Sequence, residues 1–343
     1  MARQAPVPRN EHDPTGTTRI VAGATNDFDR RLNATFNGIN AIIKELEYTK
    51  VSINKSFIVT NGLNIERIWV LNQDEEATPS YVKRELKTNE SIYRYNISPF
   101  ELGQLNQTIM DMINRLFMVD KDGNLVRTDN ARQLWLMSGY VEPSYEKGTT
   151  QAVTELELQS DVYASAVYDV EQVFFSQEYQ RRIGYVAARE FELLQGFTAD
   201  IAKDARFVLG DGIALGKSPR EIAVEVQSRI GVGKSRAERI ARTEVTYALR
   251  KAKRDEAQEA DIKYGIKSKL LWMPSFLPRM RPKHIARAGE LFTRPEIDEI
   301  YSKAGEAINC RCTQIVTALD DEGKPINSGA IDKVLKMKER FIS

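Results

Sequence analysis

The apolar residues in the N-terminal two-thirds of the chain recur mostly at helical spacing. From Phe28 onwards they follow one another every three or four residues for several turns, which is the pattern of an amphipathic helix. A second helix is predicted to begin near Pro99, and residues 150–215 keep the same period with almost no proline. We therefore predict a helix-rich body over residues 27–215.

One part of this body has a strand pattern instead. Two runs rich in β-branched and aromatic residues flank Asn61-Gly62, a dipeptide that readily takes the positive φ angles of a tight turn. These runs predict a hairpin near residues 56–72.

The N-terminal residues have no hydrophobic period. Up to about Thr18 the chain is rich in proline, asparagine and glycine, a composition that cannot build a core. We predict that residues 1–26 form a flexible arm that contacts a partner.

In residues 216–319 the sequence pattern changes from long helices to shorter helices and strands. Ser218-Pro219-Arg220-Glu221 and Ser235-Arg236-Ala237-Glu238 each have the sequence of a capping box, so two helices are predicted, with a break near Gly231 and Gly233. Residues 264–272 and 313–318 are predicted strands, and residues 295–304 a short helix. The predicted fold class is α+β and predominantly α: a long-helix N-terminal body, a small α+β C-terminal module, and a tail over residues 320–343.

The nearly neutral net charge argues against some classes of protein. With 49 Lys+Arg, 48 Asp+Glu and a net charge of +1, a general nucleic-acid coat and a membrane-surface protein are both disfavoured. No apolar run has the length of a signal peptide or of a membrane span, so we expect a chain that folds in a cytosol. Two histidines and two cysteines leave few residues for a nucleophile, a base and an orienting group, and we predict that the protein is not an enzyme.

Basic residues outnumber acidic ones between Lys217 and Arg254. Such a local excess favours sequence-independent contact with DNA phosphates or with an acidic protein partner, although a solvated helix face is the alternative. The candidate contact residues are Arg229, Lys234, Arg236, Arg239, Arg250, Lys251, Lys253 and Arg254.

Glu244 is a carboxylate on the apolar stripe of its predicted helix. A buried carboxylate requires a cation, and we expect Arg279 or Arg281 in the proline-rich segment to supply it. The alternative is a partly exposed Glu244 that pairs with neighbours such as Arg250 or Lys251 on its own helix.

His284, Cys310 and Cys312 are the candidate metal ligands. A structural zinc site normally has four ligands, and His12 lies far away in the predicted arm, so a carboxylate would have to complete the site. We therefore favour no metal and no cofactor. In this interpretation the thiols pack beneath the module and His284 is hydrogen-bonded in the proline-rich loop. A bound zinc ion is the alternative.

An ordered series of motifs runs through this C-terminal region. The residues are Ile240-Ala241-Arg242-Thr243-Glu244, Trp272, Arg279-Met280-Arg281-Pro282-Lys283-His284, Gly289, Phe292 and Gly305-Glu306-Ala307-Ile308-Asn309-Cys310-Arg311-Cys312. Their order resembles the Mu F-like family of phage minor head proteins, also called the head morphogenesis family, over about residues 218–316. The family usually has an acidic residue before its arginine pair, where this chain has Leu277 and Pro278.

The resemblance implies a structural role in a virion. It implies a minor head protein associated with the portal, which acts in capsid assembly and in genome packaging or ejection. The implied partners are the portal protein and the major capsid or scaffolding protein, and the implied location is the virion head, assembled in the host cytoplasm. The alternative function is that of a double-stranded-DNA-binding accessory or ejection protein. Within the motif series, Arg242, Thr243, Glu244, Trp272, Arg279, Arg281, His284, Gly289, Cys310 and Cys312 are expected to be structural.

Overall fold

A computed structural model gives the fold of the chain. It describes residues 6–52, 56–61, 65–71, 77–81, 91–167, 169–303 and 305–343. Side chains are described for these ranges except within residues 51–90 and 230–233. Among the described residues, no helix combines the length and the apolar character needed to cross a lipid bilayer.

Helices dominate the described residues, which confirms the predicted α+β, predominantly α class. They are α1 (Thr18–Glu45), α2 (Pro99–Phe117), α3 (Glu142–Gln159), α4 (Asp161–Ala166), α5 (Val170–Phe175), α6 (Gln177–Ala214), α7 (Pro219–Tyr264), α8 (Pro282–Ala286), α9 (Arg294–Ser302) and α10 (Gly329–Ile342). A short 3₁₀ helix (Thr128–Gln133) and a π turn (Met137–Val141) lead into α3.

The strands form small antiparallel sheets. They are β1 (Tyr48–Ser52), β2 (Ser56–Asn61), β3 (Ile65–Leu71), β4 (Ala77–Tyr81), β5 (Ser91–Tyr95), β6 (Ser268–Met273), β7 (Leu291–Phe292) and β8 (Thr313–Ala318). β1 pairs with β5, β3 lies between β2 and β4, and β6 lies between β7 and β8.

The predicted hairpin corresponds to the antiparallel pairing of β2 and β3, in which Asn61 lies opposite Ile65. The rest of its connection, including Gly62, lies outside the described residues. The segment between this hairpin and α2 contains β4 and β5.

Helix α7 differs from its prediction because it is one helix and not two. Ser218 caps its start and accepts a hydrogen bond from the backbone N–H of Glu221, as the capping box predicts. Ser235 lies inside the helix. Ile222 and Val226 on one side of the predicted break, and Ala237 on the other, are all buried. Their packing outweighs the cost of about 1 kcal/mol that each glycine imposes on a helix interior.

The core lies around α7, which packs against α1, α3 and α6 and also contacts β6 and β8. α3 approaches it closely at Gly148, where a Cβ atom would lie 2.3 Å from the carbonyl oxygen of Leu249. A side chain at this position would therefore push the two helices apart. The buried apolar residues of the N-terminal helices, of α7 and of one face of the C-terminal sheet form one continuous cluster.

The predicted arm is packed over part of its length. Thr15 and Thr17 are buried, α1 begins at Thr18, and the His12 imidazole lies 2.8 Å from the carbonyl oxygen of Phe276. The boundary of the arm at residue 26 was therefore wrong. Hydrogen bonding to the C-terminal module orders these polar residues, which could not form a core by themselves.

Candidate functional site

The motif residues converge at one end of the C-terminal sheet. Cys310 and Cys312 immediately precede β8, His284 lies on α8, and Trp272 lies on the central strand β6. Asn309 has a φ of +52°, and its backbone N–H donates a hydrogen bond of 3.2 Å to the hydroxyl of Thr243 on α7. The loop that carries the cysteines is thus attached to the long helix.

The imidazole of His284 lies against both thiols. Its Nδ1 is 3.2 Å from Sγ of Cys312 and 3.6 Å from Sγ of Cys310. The three candidate ligand atoms all lie within 4.8 Å of one another, and the exposure of each residue is at most 1%. The structure therefore brings together the histidine and the two cysteines that the sequence offered as a soft metal set.

Glu306 holds the other side of the imidazole. Its carboxylate lies 2.7 Å from Nε2 of His284, contacts the Lys283 ammonium and accepts a hydrogen bond of 3.4 Å from Arg287. Burial alone raises the pKa of this carboxyl, but hydrogen bonds from Lys283 and His284 outweigh it and lower the pKa to about 2. The carboxylate is therefore ionised over the whole physiological range.

Aromatic and cationic groups enclose the site. Trp272 donates a hydrogen bond of 3.1 Å from its indole N–H to the carbonyl of His284, and it stacks on Tyr301 with ring centres 5.5 Å apart. The guanidinium of Arg250, on α7, lies 4.4 Å from the centre of the Tyr301 ring and donates a hydrogen bond of 2.8 Å to the carbonyl of Cys310. Arg250 is buried, and its Nε and Nη2 atoms have no hydrogen-bond partner among the described residues.

The two thiols differ in their electrostatic surroundings. A hydrogen bond from Cys312 and the nearby Arg250 cation lower the pKa of Cys310, whereas burial raises the pKa of Cys312. Cys310 also borders a cavity of about 180 Å³ that Asp13, Thr15 and Arg242 help to line. The geometry can serve metal coordination, or it can serve as a thiolate–imidazole pair oriented by Glu306.

Glu244 is buried as predicted, but its partner is not the predicted one. It is 4% exposed and binds both terminal nitrogens of Arg189 on α6, one of them at 3.2 Å. Arg281 instead donates hydrogen bonds to the carbonyls of Glu306 and Ile308, and Arg279 lies at the surface. The expected pairing with Arg279 or Arg281 was wrong because those arginines lie on the loop near the thiols and α6 packs beside Glu244.

Glu190 adds a second carboxyl to this pair. It is completely buried beside Glu244, and burial together with the Glu244 charge raises its pKa well above the usual range. The two carboxyls share one Arg189 cation, and the raised pKa favours the protonated form of Glu190.

Gly289 has a conformational role within the motif series. Its φ is +86°, and a Cβ atom there would lie 2.5 Å from Leu335 of α10. This position favours glycine, because any other residue would be strained at this φ and the Leu335 side chain would have to shift to make room.

The candidate DNA-contact residues divide into two groups along α7. Arg229, Arg236 and Arg239 are exposed, and Lys234 and Lys251 are partly exposed. Arg250, Lys253 and Arg254 have exposures of 1%, 0% and 5%, so they are not available to DNA or to an acidic partner at the surface of this structure. They bind neighbouring elements of the fold: Lys253 binds Glu155 of α3 at 2.6 Å, and Arg254 binds Asp298 of α9 at 3.0 Å.

Sequence reasoning missed the roles of Glu306, Arg189 and Arg250. Glu306 lies within the quoted motif that ends in Cys310 and Cys312, and that proximity was a usable signal. Arg250 follows the buried Leu249 and Ala248 on α7, so its position was also suggestive. Arg189 had no local signal, because it lies on a different helix, 55 residues from Glu244.

Comparison with known proteins gives a family match for this region. No curated protein and no solved structure matches the chain. The matching family model covers α7, β6, β7, the first residues of β8, helix α8 that carries His284, and the segment that carries the cysteines. The resemblance drawn from the motif series is thus confirmed: residues 203–315 match the family described as Phage Mu protein F like protein.

Proposed function

We propose that this protein is a head morphogenesis protein of a phage, a minor structural component of the head that associates with the portal and acts in capsid assembly. The observation that carries the proposal is the family match over residues 203–315, whose motif residues meet in one folded module. A structural role agrees with the burial of that module's polar residues, because side chains such as Trp272, His284 and Gln314 are fully enclosed.

Helix α3 of the N-terminal body is attached to the C-terminal module by buried hydrogen bonds, which supports a structural role. Glu155 on α3 accepts a hydrogen bond of 2.8 Å from the backbone N–H of Val316 in β8, and Gln159 bonds to the backbone of both Val316 and Ala318. The body and the module therefore share buried polar contacts, and such contacts suit a structural component of the head.

The test is to isolate heads from host cells that produce the phage and to identify the cross-linked partners of this chain by mass spectrometry. We expect the chain in purified heads, at low copy number, with cross-links to the portal protein. Its absence from purified heads would overturn the proposal, and cross-links confined to the major capsid or scaffolding protein would overturn the portal association.

The alternative role in DNA packaging or ejection is tested separately with purified full-length chain and unrelated DNA duplexes. Retardation that weakens steeply with salt, and that is reduced by Arg229→Gln together with Arg239→Gln, would favour it. These two arginines are chosen because they are exposed, and Arg220→Gln is a matched control on the same helix outside the candidate contact set.

A further inference from the structure

We propose that His284, Cys310 and Cys312 bind one Zn²⁺ ion, and that Glu306 positions the imidazole for this purpose. The site goes beyond the proposed role in the head and does not depend on it. It also reverses the expectation from the sequence, which favoured packed thiols because only three ligands could be named.

The spacing of the ligand atoms is the first argument. Zn–S and Zn–N bonds of about 2.3 Å and 2.0–2.1 Å at tetrahedral angles place a thiolate sulfur and an imidazole nitrogen about 3.5 Å apart. The Nδ1 atom of His284 lies 3.2 Å from one sulfur and 3.6 Å from the other. Both nitrogen–sulfur separations are therefore close to those of zinc ligands, and the two sulfurs lie within 4.8 Å of each other.

The hydrogen bond on the far side of the imidazole is the second argument. Histidine ligands commonly donate their other ring N–H to a carboxylate, which fixes the tautomer and the ring orientation. Glu306 occupies that position at 2.7 Å from Nε2 and is itself held by Lys283 and Arg287. This arrangement leaves Nδ1 directed at both sulfurs with its lone pair free for a cation.

The chemistry of the donors selects the metal. Two thiolates and an imidazole are soft to borderline ligands that suit Zn²⁺ and disfavour Mg²⁺ or Ca²⁺, which require oxygen. The two thiolate charges also balance those of the ion. The Tyr301 hydroxyl, 3.7 Å from Sγ of Cys310, or a water molecule completes the four-coordinate site.

A zinc ion at this site would have a structural role, because its ligands come from two separate segments of the module. Its ligands come from α8 and from the segment just before β8. The guanidinium of Arg281 also links these two segments, because it donates hydrogen bonds to the carbonyls of Glu306 and Ile308. Zinc would fix the short helix α8, which has only five residues, to the edge of the sheet.

The test begins with the wild-type full-length chain. Protein purified without chelator is analysed for metal content, and the metal is then exchanged for Co²⁺. We expect one zinc per chain, a thiolate-to-Co²⁺ charge-transfer band in the near ultraviolet, and protection of both thiols from alkylation by added Zn²⁺. A folded chain that takes up neither ion, and whose thiols react at the same rate with and without Zn²⁺, would overturn the proposal and leave a thiolate–imidazole pair.

Substitutions then assign the ligands. Cys310→Ser, Cys312→Ser and His284→Gln should each abolish the Co²⁺ charge-transfer spectrum or shift it, and Glu306→Gln should weaken zinc affinity about 10- to 100-fold. Ser275→Ala is the matched control, because Ser275 is buried in the same module and its hydroxyl has no partner among the described residues. Loss of affinity in Tyr301→Phe would identify the fourth ligand.

Zinc retained at full affinity after both cysteine substitutions would place the ion elsewhere and refute the site. If a variant does not fold, the measurements on the wild-type chain still decide whether zinc binds.

Discussion

The two halves of helix α7 carry similar numbers of basic residues but use them in opposite ways. In the first half the charges pair at the surface, as Lys234 does with Asp29 at 3.1 Å and Arg236 with Asp200 at 2.8 Å. In the second half, Lys253 and Arg250 lie in the interior and bind α3 or the loop before β8. Basic residues that look alike in the sequence can therefore be exposed in one half of a helix and form buried contacts between elements in the other half.

The difference follows from what each half packs against. Beyond Arg242, one side of α7 packs against α3, α6 and the C-terminal sheet, so the buried charged side chains there, such as Lys253 and Glu256, need a partner within the protein. Tyr145 and Tyr163 supply hydrogen bonds of 2.7 Å to Asp255 and Glu256, which keeps these buried carboxylates satisfied. Substitutions along α7 can test this contrast.

The largest effect is expected at Lys253. Lys253→Met removes the ammonium from a pair with exposures of 0% and 3%, and it leaves the Glu155 carboxylate and the carbonyl of Gln314 without this donor. Because breaking a buried pair from one side strands a charge, we expect a loss of about 3–5 kcal/mol in the free energy of unfolding, measured with denaturant.

A double substitution sharpens this result. Glu155→Gln keeps an acceptor for the backbone N–H of Val316 while removing the charge, so Lys253→Met combined with Glu155→Gln should cost clearly less than the sum of the single losses. Additive losses would contradict the buried pair, as would a loss below about 1 kcal/mol for Lys253→Met alone.

The second effect is expected at Arg189, the cation that holds Glu244. Arg189→Met leaves the Glu244 carboxylate without its bidentate partner, and we expect a loss of about 1–3 kcal/mol in the free energy of unfolding. The loss is smaller than at Lys253 because the Arg189 side chain is 36% exposed and water can partly replace it. Arg279→Met is the control, since that arginine was the partner expected from the sequence. A larger loss for Arg279→Met than for Arg189→Met would restore the original pairing.

These cases show which features the sequence could reveal. The start of α2 at Pro99 and the capping of α7 by Ser218 were predictable because a capping box is a local signal that the structure reproduces. The burial of Glu244 was predictable from the apolar stripe on which it lies. Its partner was not, because the pairing depends on how α6 packs across α7, and packing between distant segments leaves no trace in either segment alone.

In the candidate site, too, the sequence could indicate some residues and not others. His284, Cys310 and Cys312 could be selected from residue type as a possible soft metal set, and the structure brings them together. The role of Glu306 required the geometry of the turn after α9, which places its carboxylate 2.7 Å from the imidazole. The continuity of α7 was missed because propensity and capping signals near Gly231 were outweighed by tertiary packing.

The third effect is a pH dependence from Glu190. Burial and the adjacent Glu244 carboxylate raise its pKa in the folded chain above the unfolded value of about 4.3. The folded state therefore holds this proton more tightly, so the stabilisation is fully present below about pH 4.3 and is lost as the pH rises through the folded pKa. Glu190→Gln is permanently neutral and should become progressively more stable relative to the parent as the pH rises, by at most about 1.4 kcal/mol per pH unit.

Unfolding of the parent and of Glu190→Gln across a pH series provides this measurement. Glu192→Gln, which removes an exposed carboxylate from the same helix, is the control. A stability difference between Glu190→Gln and the parent that stays constant with pH would show that Glu190 does not retain its proton in the folded chain.

The smallest effect is expected at Lys234, in the surface half of α7. Lys234→Met makes the same chemical change as Lys253→Met on the same helix, but here the pair with Asp29 has side-chain exposures of 45% and 30%. Water and salt screen such a pair, so we expect a change of about 0–1 kcal/mol in the free energy of unfolding, which shrinks further at high ionic strength. The loss at Lys253 should persist in salt, because buried charges are screened much less. Equal losses for the two lysines, or equal sensitivity to salt, would show that the two halves of α7 are not distinct environments and would return Lys253 to the set of surface residues available to DNA.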